Sequence, residues 1–187
     1  ADWYFHLHPW DYQQGKSYGV GWTDIVKKYT EISVDRVFLA YEEGAFGTAS
    51  FKAYEDFYKS AQEGKGPFVG LMESFKGASF KSAALGGGDY RSMLRQAKKF
   101  KPDLYIWAGY DADAIPMLAQ SREIGFKPSL YVGAPPGWPA DFGTNPLSDK
   151  VVLYGMWAPS LREVSDVAKH FWEEYIQMFK ERPVTYF

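Results

Sequence analysis

Residues 36–42 read RVFLAYE, residues 43–47 read EGAFG, and residues 48–58 read TASFKAYEDFY. This order predicts a buried strand, a glycine-containing loop and an amphipathic helix, which is the repeating unit of an open α/β sheet. Ligands of such sheets bind outside the carboxyl ends of the strands. The loop that follows residue 42 is therefore the first place where the sequence predicts a binding site.

The same unit recurs along the chain. Helices are predicted to begin near Asp89, at Asp111 or Asp113, and at Val164, and the lack of an N–H on Pro116 predicts that it lies in a first helical turn. Helices of about 10 to 15 residues between short strands are typical of parallel crossover units. We therefore expect a doubly wound, mostly parallel open α/β sheet. Further strands are predicted at 3–8, 67–75, 103–109, 129–134 and 151–158, and further helical segments at 14–29 and 164–176.

Composition narrows the class of protein. The chain has 187 residues, of which 46% are hydrophobic and 24% charged, so we expect residues 1–187 to form one globular domain. The net charge is −2 and the cations are scattered, which argues against a nucleic-acid partner because no basic stripe is present to neutralise phosphates. The absence of cysteine excludes disulfides, thiolate metal ligands and a cysteine nucleophile.

The sequence has no segment that resembles a membrane span or a signal peptide. No apolar run reaches the roughly 20 residues that a transmembrane helix needs. The first residues lack a charged region followed by an apolar one. If the protein is exported, we expect its signal to have been removed.

Aromatic residues are unusually frequent. They make up 19% of the chain and include 7 tryptophans and 14 tyrosines. Most should fill the core, because aromatic side chains bury large areas. The excess predicts an apolar, stacking binding site.

Six short segments together resemble one known family. They are 36–41 (RVFLAY), 45–47 (AFG), 88–90 (GDY), 101–103 (KPD), 108–110 (AGY) and 121–125 (SREIG). In order and spacing the sequence resembles the type I periplasmic solute-binding proteins, in particular the branched-chain amino acid (leucine/isoleucine/valine-binding) group that serves ABC importers. The resemblance covers nearly the whole chain.

The resemblance implies an architecture and a set of partners. Such proteins have two α/β lobes with the ligand in the cleft between them, and this chain is similar to the second lobe, truncated before its last helix. The implied function is binding a small solute for an ABC importer, without catalysis or a cofactor. The implied partners are the missing first lobe and the membrane permease, and the implied location is periplasmic or extracytoplasmic. We also expect possible self-association of the isolated lobe.

The resemblance also implies ligand-binding positions. Phe46 matches an aromatic contact after the first strand, and Tyr110 matches a tyrosine after the third. In the amino acid binders a carboxylate follows the glycine that corresponds to Gly133, whereas here Ala134 and Pro135 follow it. An ammonium group buried without a partner is costly, so an aromatic or apolar carboxylate competes with an amino-acid-like ligand.

Two tryptophans and four acids are also candidates for the predicted ligand-binding site. Trp138 and Trp157 are expected at the rim of the same site. The missing acid has four possible substitutes: Glu42, Glu43, Asp111 and Asp113.

Each of these positions also has a structural interpretation. The alternative for Phe46 is an apolar loop residue packed on the core. Trp138 and Trp157 are individually more typical of ordinary packing, and helix capping and solvation explain the four acids at least as well as binding does.

Catalytic and metal-binding interpretations are weaker. Residues 15–17 (GKS) resemble the end of a phosphate-binding loop, but the glycine that the motif requires earlier is Trp10. His6 and His8 share one face of a predicted strand, yet His170, the third histidine, lies on a distant helix. We therefore expect neither a catalytic site nor a metal site.

Two other functions share this fold. One is the ligand-sensing module of a receptor or regulator, which a fused signalling domain would reveal. The other is a flavodoxin-like enzyme that uses a nucleotide or flavin, which a bound cofactor would reveal.

Overall fold

The computed structural model describes Gln13, Lys28 and residues 31–133, 142–153 and 159–182. A five-stranded parallel sheet in the order β2-β1-β3-β4-β5 forms the centre. The strands are β1 (Arg36–Glu42), β2 (Ser74–Phe80), β3 (Leu104–Ala108), β4 (Leu130–Gly133) and β5 (Val151–Leu153). The helices bounded within the described ranges are α1 (Ala45–Gln62), α2 (Arg91–Phe100), α3 (Asp111–Glu123) and α4 (Asp166–Phe179). The predicted doubly wound parallel α/β sheet is confirmed.

Both faces of the sheet are covered by helices. Val37 and Leu39 of β1 pack in the same cluster as Tyr54 of α1. Phe38 and Ala40, which alternate with them, pack in the opposite cluster with α2 and α3. Strands buried on both faces need apolar side chains at successive positions, which is why β1, β3 and β4 are visible in the sequence as continuous apolar runs.

The predicted second strand is in the wrong place. The structure has a turn at 67–71 and begins β2 at Ser74. Phe68 and Met72 are buried, and the Phe68 ring packs against Tyr54 with centroids 5.6 Å apart. Their apolar character therefore serves the core beneath α1 and does not mark a strand.

Two helices differ from their predicted positions. α1 begins at Ala45, three residues before the predicted start, so Phe46 lies in the first helical turn. Pro116 lies inside α3, as its sixth residue, and the prediction of a first-turn proline is wrong. The start predicted near Asp89 is confirmed, because α2 begins at Arg91. The N-cap is Tyr90 and not Asp89 as the pattern suggested, although the Asp89 carboxylate accepts a hydrogen bond from the Arg91 N–H at 3.1 Å.

α4 confirms the last predicted helix but is not buried as its pattern suggested. It begins after Ser165, whose hydroxyl accepts a hydrogen bond from the Ala168 N–H at 3.3 Å. No residue of α4 is buried, and Val167 is 81% exposed. The segments predicted at 3–8, 14–29 and 154–158 lie outside the described residues, apart from the helical Lys28.

Candidate functional site

The sheet order places two connections at a topological switch point. From β1 the chain crosses to β2 on one side, and then returns to β3 on the other side of β1. Tyr41, near the end of β1, pairs with Ala108 at the end of β3. The turns that follow these strands therefore meet at the carboxyl edge and then diverge, which creates the crevice where open α/β sheets bind ligands.

Two predicted ligand-binding residues meet at this edge. Phe46 lies in the first turn of α1, and Tyr110 immediately precedes α3. Their ring centroids are 6.0 Å apart, with the ring planes tilted by 46°. Tyr110 is 37% exposed and Phe46 is half-buried, so the pair presents an apolar surface to solvent.

Glu42 and two glycines hold the start of α1. The Glu42 side chain is 1% exposed, and its carboxylate accepts hydrogen bonds from the Gly47 N–H at 2.8 Å and from the Gly44 N–H. These bonds satisfy N–H groups of the first turn, and the negative charge is favourable at a helix N-terminus. A Cβ at Gly47 would lie 2.3 Å from the Glu42 backbone oxygen, so only glycine permits this approach. The arrangement fixes the position of Phe46.

Gly109 has a similar role before Tyr110. Phe80 and Trp107 stack beneath it, with centroids 4.4 Å apart and planes within 9° of parallel. A Cβ at Gly109 would lie 2.8 Å from the Phe80 ring and 3.0 Å from the Trp107 ring. The backbone can therefore lie on this stack only without a side chain, and the turn that carries Tyr110 rests on a rigid aromatic base.

Two of the four possible substitute acids are occupied by protein donors. Glu42 binds the start of α1, as described above. Asp113 is fully buried and accepts hydrogen bonds from the Ser82 hydroxyl and the Ala83 N–H, both at 2.6 Å, and from the Tyr90 hydroxyl. Neither carboxylate faces solvent at this edge.

The other two acids are exposed. Glu43 accepts a hydrogen bond from the Ser79 hydroxyl at 3.3 Å, and Asp111 accepts one from the Ala112 N–H at 2.8 Å. Both carboxylates remain open to solvent beside the turns that carry Phe46 and Tyr110. They are the acids of this group with access to a ligand.

The network around Asp113 was missed by sequence reasoning. An aspartate at the start of a helix predicts an exposed cap, and nothing local indicates partners about thirty residues earlier. Burial, together with the hydrogen bond to Asp113, raises the pKa of Tyr90 above its usual value. Tyr90 therefore remains a protonated donor.

Four predicted site residues have no structural outcome. Ala134, Pro135, Trp138 and Trp157 lie outside the described residues. Within the described ranges, no group of three or more His, Cys, Asp or Glu side chains is arranged to hold a metal ion. The helices there are also too short or too polar to span a membrane.

Sequence comparison finds a curated relative with a binding-protein name. The chain is 29% identical over 103 residues to Leu/Ile/Val-binding protein homolog 7 of Brucella abortus (strain 2308). The match covers 55% of this chain and 23% of the relative, so the chain matches less than a quarter of that protein's length. No family model matches the chain.

Structural comparison finds solute-binding proteins. A leucine-binding protein from Thermotoga maritima aligns with a TM-score of 0.65 and 17% identity, over 94% of this chain and 45% of that one. An ABC transporter solute-binding protein from R. palustris, in complex with benzoate, aligns with a TM-score of 0.58 and 15% identity, over 94% of this chain and 43% of that one. The chain thus spans under half of either structure.

Together the comparisons confirm the resemblance drawn from the sequence. The chain is similar to branched-chain amino acid binding proteins of ABC transporters, and its fold is that of one lobe of a type I periplasmic binding protein. The relatives are named as transport or binding proteins and not as enzymes.

Proposed function

We propose that the chain is the second lobe of an extracytoplasmic solute-binding protein that delivers a small molecule to the permease of an ABC importer. The observation that carries this proposal is the exposed Phe46–Tyr110 pair at the switch point of the sheet. The names and the fold of the relatives support the same class. The compartment is then the periplasm or the cell exterior.

The charges beside the ring pair define how a solute would be oriented. The turns at 43–47 and 109–113 contain acids and no Lys or Arg. A solute carboxylate near the exposed Glu43 and Asp111 would be repelled, because like charges at short range are unfavourable. The apolar part of the solute therefore rests on Phe46 and Tyr110, and its carboxylate points to the other lobe.

Two ligand classes fit this orientation. The R. palustris relative binds benzoate, and an aromatic or apolar carboxylate needs no acid from this lobe. The Thermotoga relative is a leucine-binding protein, and an amino-acid-like solute would require Glu43 or Asp111 to pair with its ammonium group. The absence of an acid directly after Gly133 favours the first class.

The function depends on two lobes. A solute that contacts both lobes stabilises the closed arrangement, because some of its contacts exist only when both are engaged. One lobe alone supplies part of those contacts while the cost of immobilising the solute remains. We therefore expect the isolated lobe to bind weakly.

A thermal-shift experiment on the full-length protein tests this proposal. We expect benzoate or a related aromatic carboxylate to raise the melting temperature, and leucine to raise it less, since a ligand bound only by the native state stabilises that state. Tyr110→Ala should abolish most of the shift. Ile115→Ala is the matched control, because Ile115 lies on α3 with the same exposed fraction of 37%.

The outcomes separate the alternatives. An unchanged affinity in Tyr110→Ala would count against the site. A larger shift with leucine would indicate that Glu43 or Asp111 replaces the missing acid. A shift with a flavin or nucleotide alone would favour the flavodoxin-like enzyme.

A further inference from the structure

The segment 81–90, which joins β2 to α2, lies at the same edge of the sheet as the candidate site. β2 is the neighbour of β1, and the Glu43 N–H donates a hydrogen bond to the Phe80 carbonyl at 3.1 Å. Phe80 also lies directly beneath Gly109. The chain therefore leaves β2 beside both turns that carry the aromatic pair.

The backbone of segment 81–90 is intrinsically flexible, because the segment contains three successive glycines. Gly86 and Gly88 adopt φ values of +79° and +114°, and Gly87 lies between them. Glycine loses more conformational freedom on ordering than any other residue. A segment with three successive glycines would sample many conformations without contacts that select one.

α3 supplies those contacts at both ends of the segment. Asp113 binds the Ser82 hydroxyl, the Ala83 N–H and the Tyr90 hydroxyl. Gln120, two turns later on the same helix, accepts a hydrogen bond from the Tyr90 N–H at 2.7 Å and donates one to the Gly88 carbonyl at 2.8 Å. A buried carboxylate with three donors is a strong anchor, because charge-assisted hydrogen bonds gain strength away from water.

One large apolar side chain of the anchored segment faces solvent. Leu85 is 60% exposed and ends the short turn Ala83–Leu85, whose N-cap is Ser82. Exposing a leucine at an ordered position gives no stability to the fold itself. Leu85 follows Ala83 by two residues, and the Ala83 N–H is bound by Asp113 in the first turn of α3, directly after Tyr110.

We propose that Asp113 is a positioning residue of the candidate site, which fixes segment 81–90 beside Tyr110 so that Leu85 forms a third apolar contact with the solute. The solute contact rests on the proposed function, whereas the anchoring by Asp113 does not. The same helix therefore carries Tyr110 at its N-cap and holds segment 81–90 through Asp113.

Hydrogen–deuterium exchange of the full-length protein without added solute tests the anchor. In Asp113→Ala we expect amides within 82–90 to exchange at least about 10-fold faster, while those of α1 are unchanged, since local opening costs less without the acceptor. Asp113→Asn, which keeps an oxygen for the Ala83 N–H but loses the charge, should restore part of the protection. Asp111→Asn, an exposed acid in the same turn, is the control and should change nothing in 82–90.

The following exchange results would contradict the anchoring role of Asp113. Unchanged exchange of 82–90 in Asp113→Ala, or no rescue by Asp113→Asn, would overturn it. If Asp113→Ala does not fold, Ser82→Ala and Tyr90→Phe each remove one donor, and we expect faster exchange of 82–90 in both. Unchanged exchange in both would overturn the anchor equally.

A binding measurement tests the solute contact, with benzoate and leucine as the probes. We expect Leu85→Ser to weaken binding of the probe that stabilises the wild type several-fold, because apolar contact area is lost. Val69→Ser is the matched control, since Val69 is 48% exposed in the turn before β2, away from the carboxyl edge. Equal binding by Leu85→Ser and wild type would overturn the contact. If the wild type binds neither probe, the proposed function and the contact fail together, and the exchange result alone decides the role of Asp113.

Discussion

Phe46 is positioned by two buried residues, Glu42 and Gly47. Glu42 closes the N-terminus of α1 from the preceding strand, and Gly47 lets the first helical turn lie against the Glu42 backbone. The usual sequence signal for a helix start is a Ser, Thr, Asp or Asn cap, but the N-cap here is Gly44, without a side-chain bond. Glu42, whose carboxylate caps the helix, is the last residue of strand β1. The sequence therefore predicted the helix but not its first residue.

We predict that Gly47→Ala destabilises the protein and weakens solute binding. The added Cβ would lie 2.3 Å from the Glu42 backbone oxygen and 2.6 Å from its nitrogen, and backbone atoms cannot move aside without shifting α1. We expect a loss of about 1–3 kcal/mol in the free energy of unfolding, the usual cost of overpacking. Urea unfolding measures it.

Gly143→Ala is the control for this substitution. An added Cβ at Gly143 would meet nothing within 4 Å, and its φ is not in the left-handed region. We expect a change within about 0.5 kcal/mol, as for ordinary surface positions. Equal stability of the two variants would show that the start of α1 adapts more freely than the structure indicates.

The sequence predicts buried strands better than partly exposed strands. β1, β3 and β4 have neighbours on both sides and buried faces, and each was predicted close to its observed bounds. β2 pairs only with β1, and most of its side chains are partly exposed, so its pattern is weak. The stronger apolar signal just before it came from Phe68 and Met72, which belong to the core without forming a strand.

The parts of the candidate site also differ in how well the sequence predicts them. The turns after β1 and β3 were predictable, because strand ends of a parallel sheet meet at one edge. The anchoring role of Asp113 was not, since Tyr90 and Ser82 are 23 and 31 residues away in sequence. No local pattern separates a buried aspartate with such partners from an exposed helix cap.

Three tyrosines that link the helices to the sheet make stability sensitive to high pH. Tyr90, Tyr105 and Tyr131 are fully buried, and burial raises the pKa of all three. In the unfolded chain a tyrosine ionises near pH 10. Because the folded-state pKa is higher, this contribution to stability is fully present below pH 10 and is lost as the pH rises toward the folded-state pKa.

We therefore predict that the free energy of unfolding is steady up to about pH 9 and falls above about pH 10, by up to about 1.4 kcal/mol per pH unit for each such tyrosine. Urea titrations between these pH values measure the slope. Tyr105→Phe should reduce it, because it removes one ionisable group and, with it, only a weak hydrogen bond to the Met93 sulfur at 3.3 Å among the described residues. An alkaline slope that is the same in Tyr105→Phe would contradict this assignment.

At the scale of the whole molecule, the described residues include two groups of exposed apolar side chains that lie close together. One is the Phe46–Tyr110 pair at the open edge of the sheet. The other is a stripe along one side of α4, where Val167 and Met178 are 81% and 74% exposed, and Val164, just before the helix, is 82% exposed. Spacings of four and seven residues align Val167, Phe171 and Met178 on one helical face. The chain spans less than half of its structural relatives, so both surfaces are open in the isolated chain.

These surfaces lead us to predict that the isolated chain self-associates, with α4 as the contact. A contiguous apolar patch on a soluble domain favours association, because burying it removes it from water. The rings of Phe171, Tyr175 and Phe179 follow one another along the helix with centroids 5.7 and 4.6 Å apart, which enlarges the patch. Sedimentation velocity over a wide concentration range should show a concentration-dependent increase in mass.

Paired variants distinguish α4 from the open edge of the sheet. Phe171→Glu combined with Met178→Glu places charges in the α4 stripe and should give a monomer, whereas Val69→Glu, at an exposed site away from the stripe, should associate like the wild type. If Tyr110→Ala alone gives the monomer, the contact is the open edge of the sheet instead. Monomeric wild-type chain at the highest concentration would contradict self-association, because the exposed area of α4 would then be insufficient to offset the entropy lost on pairing.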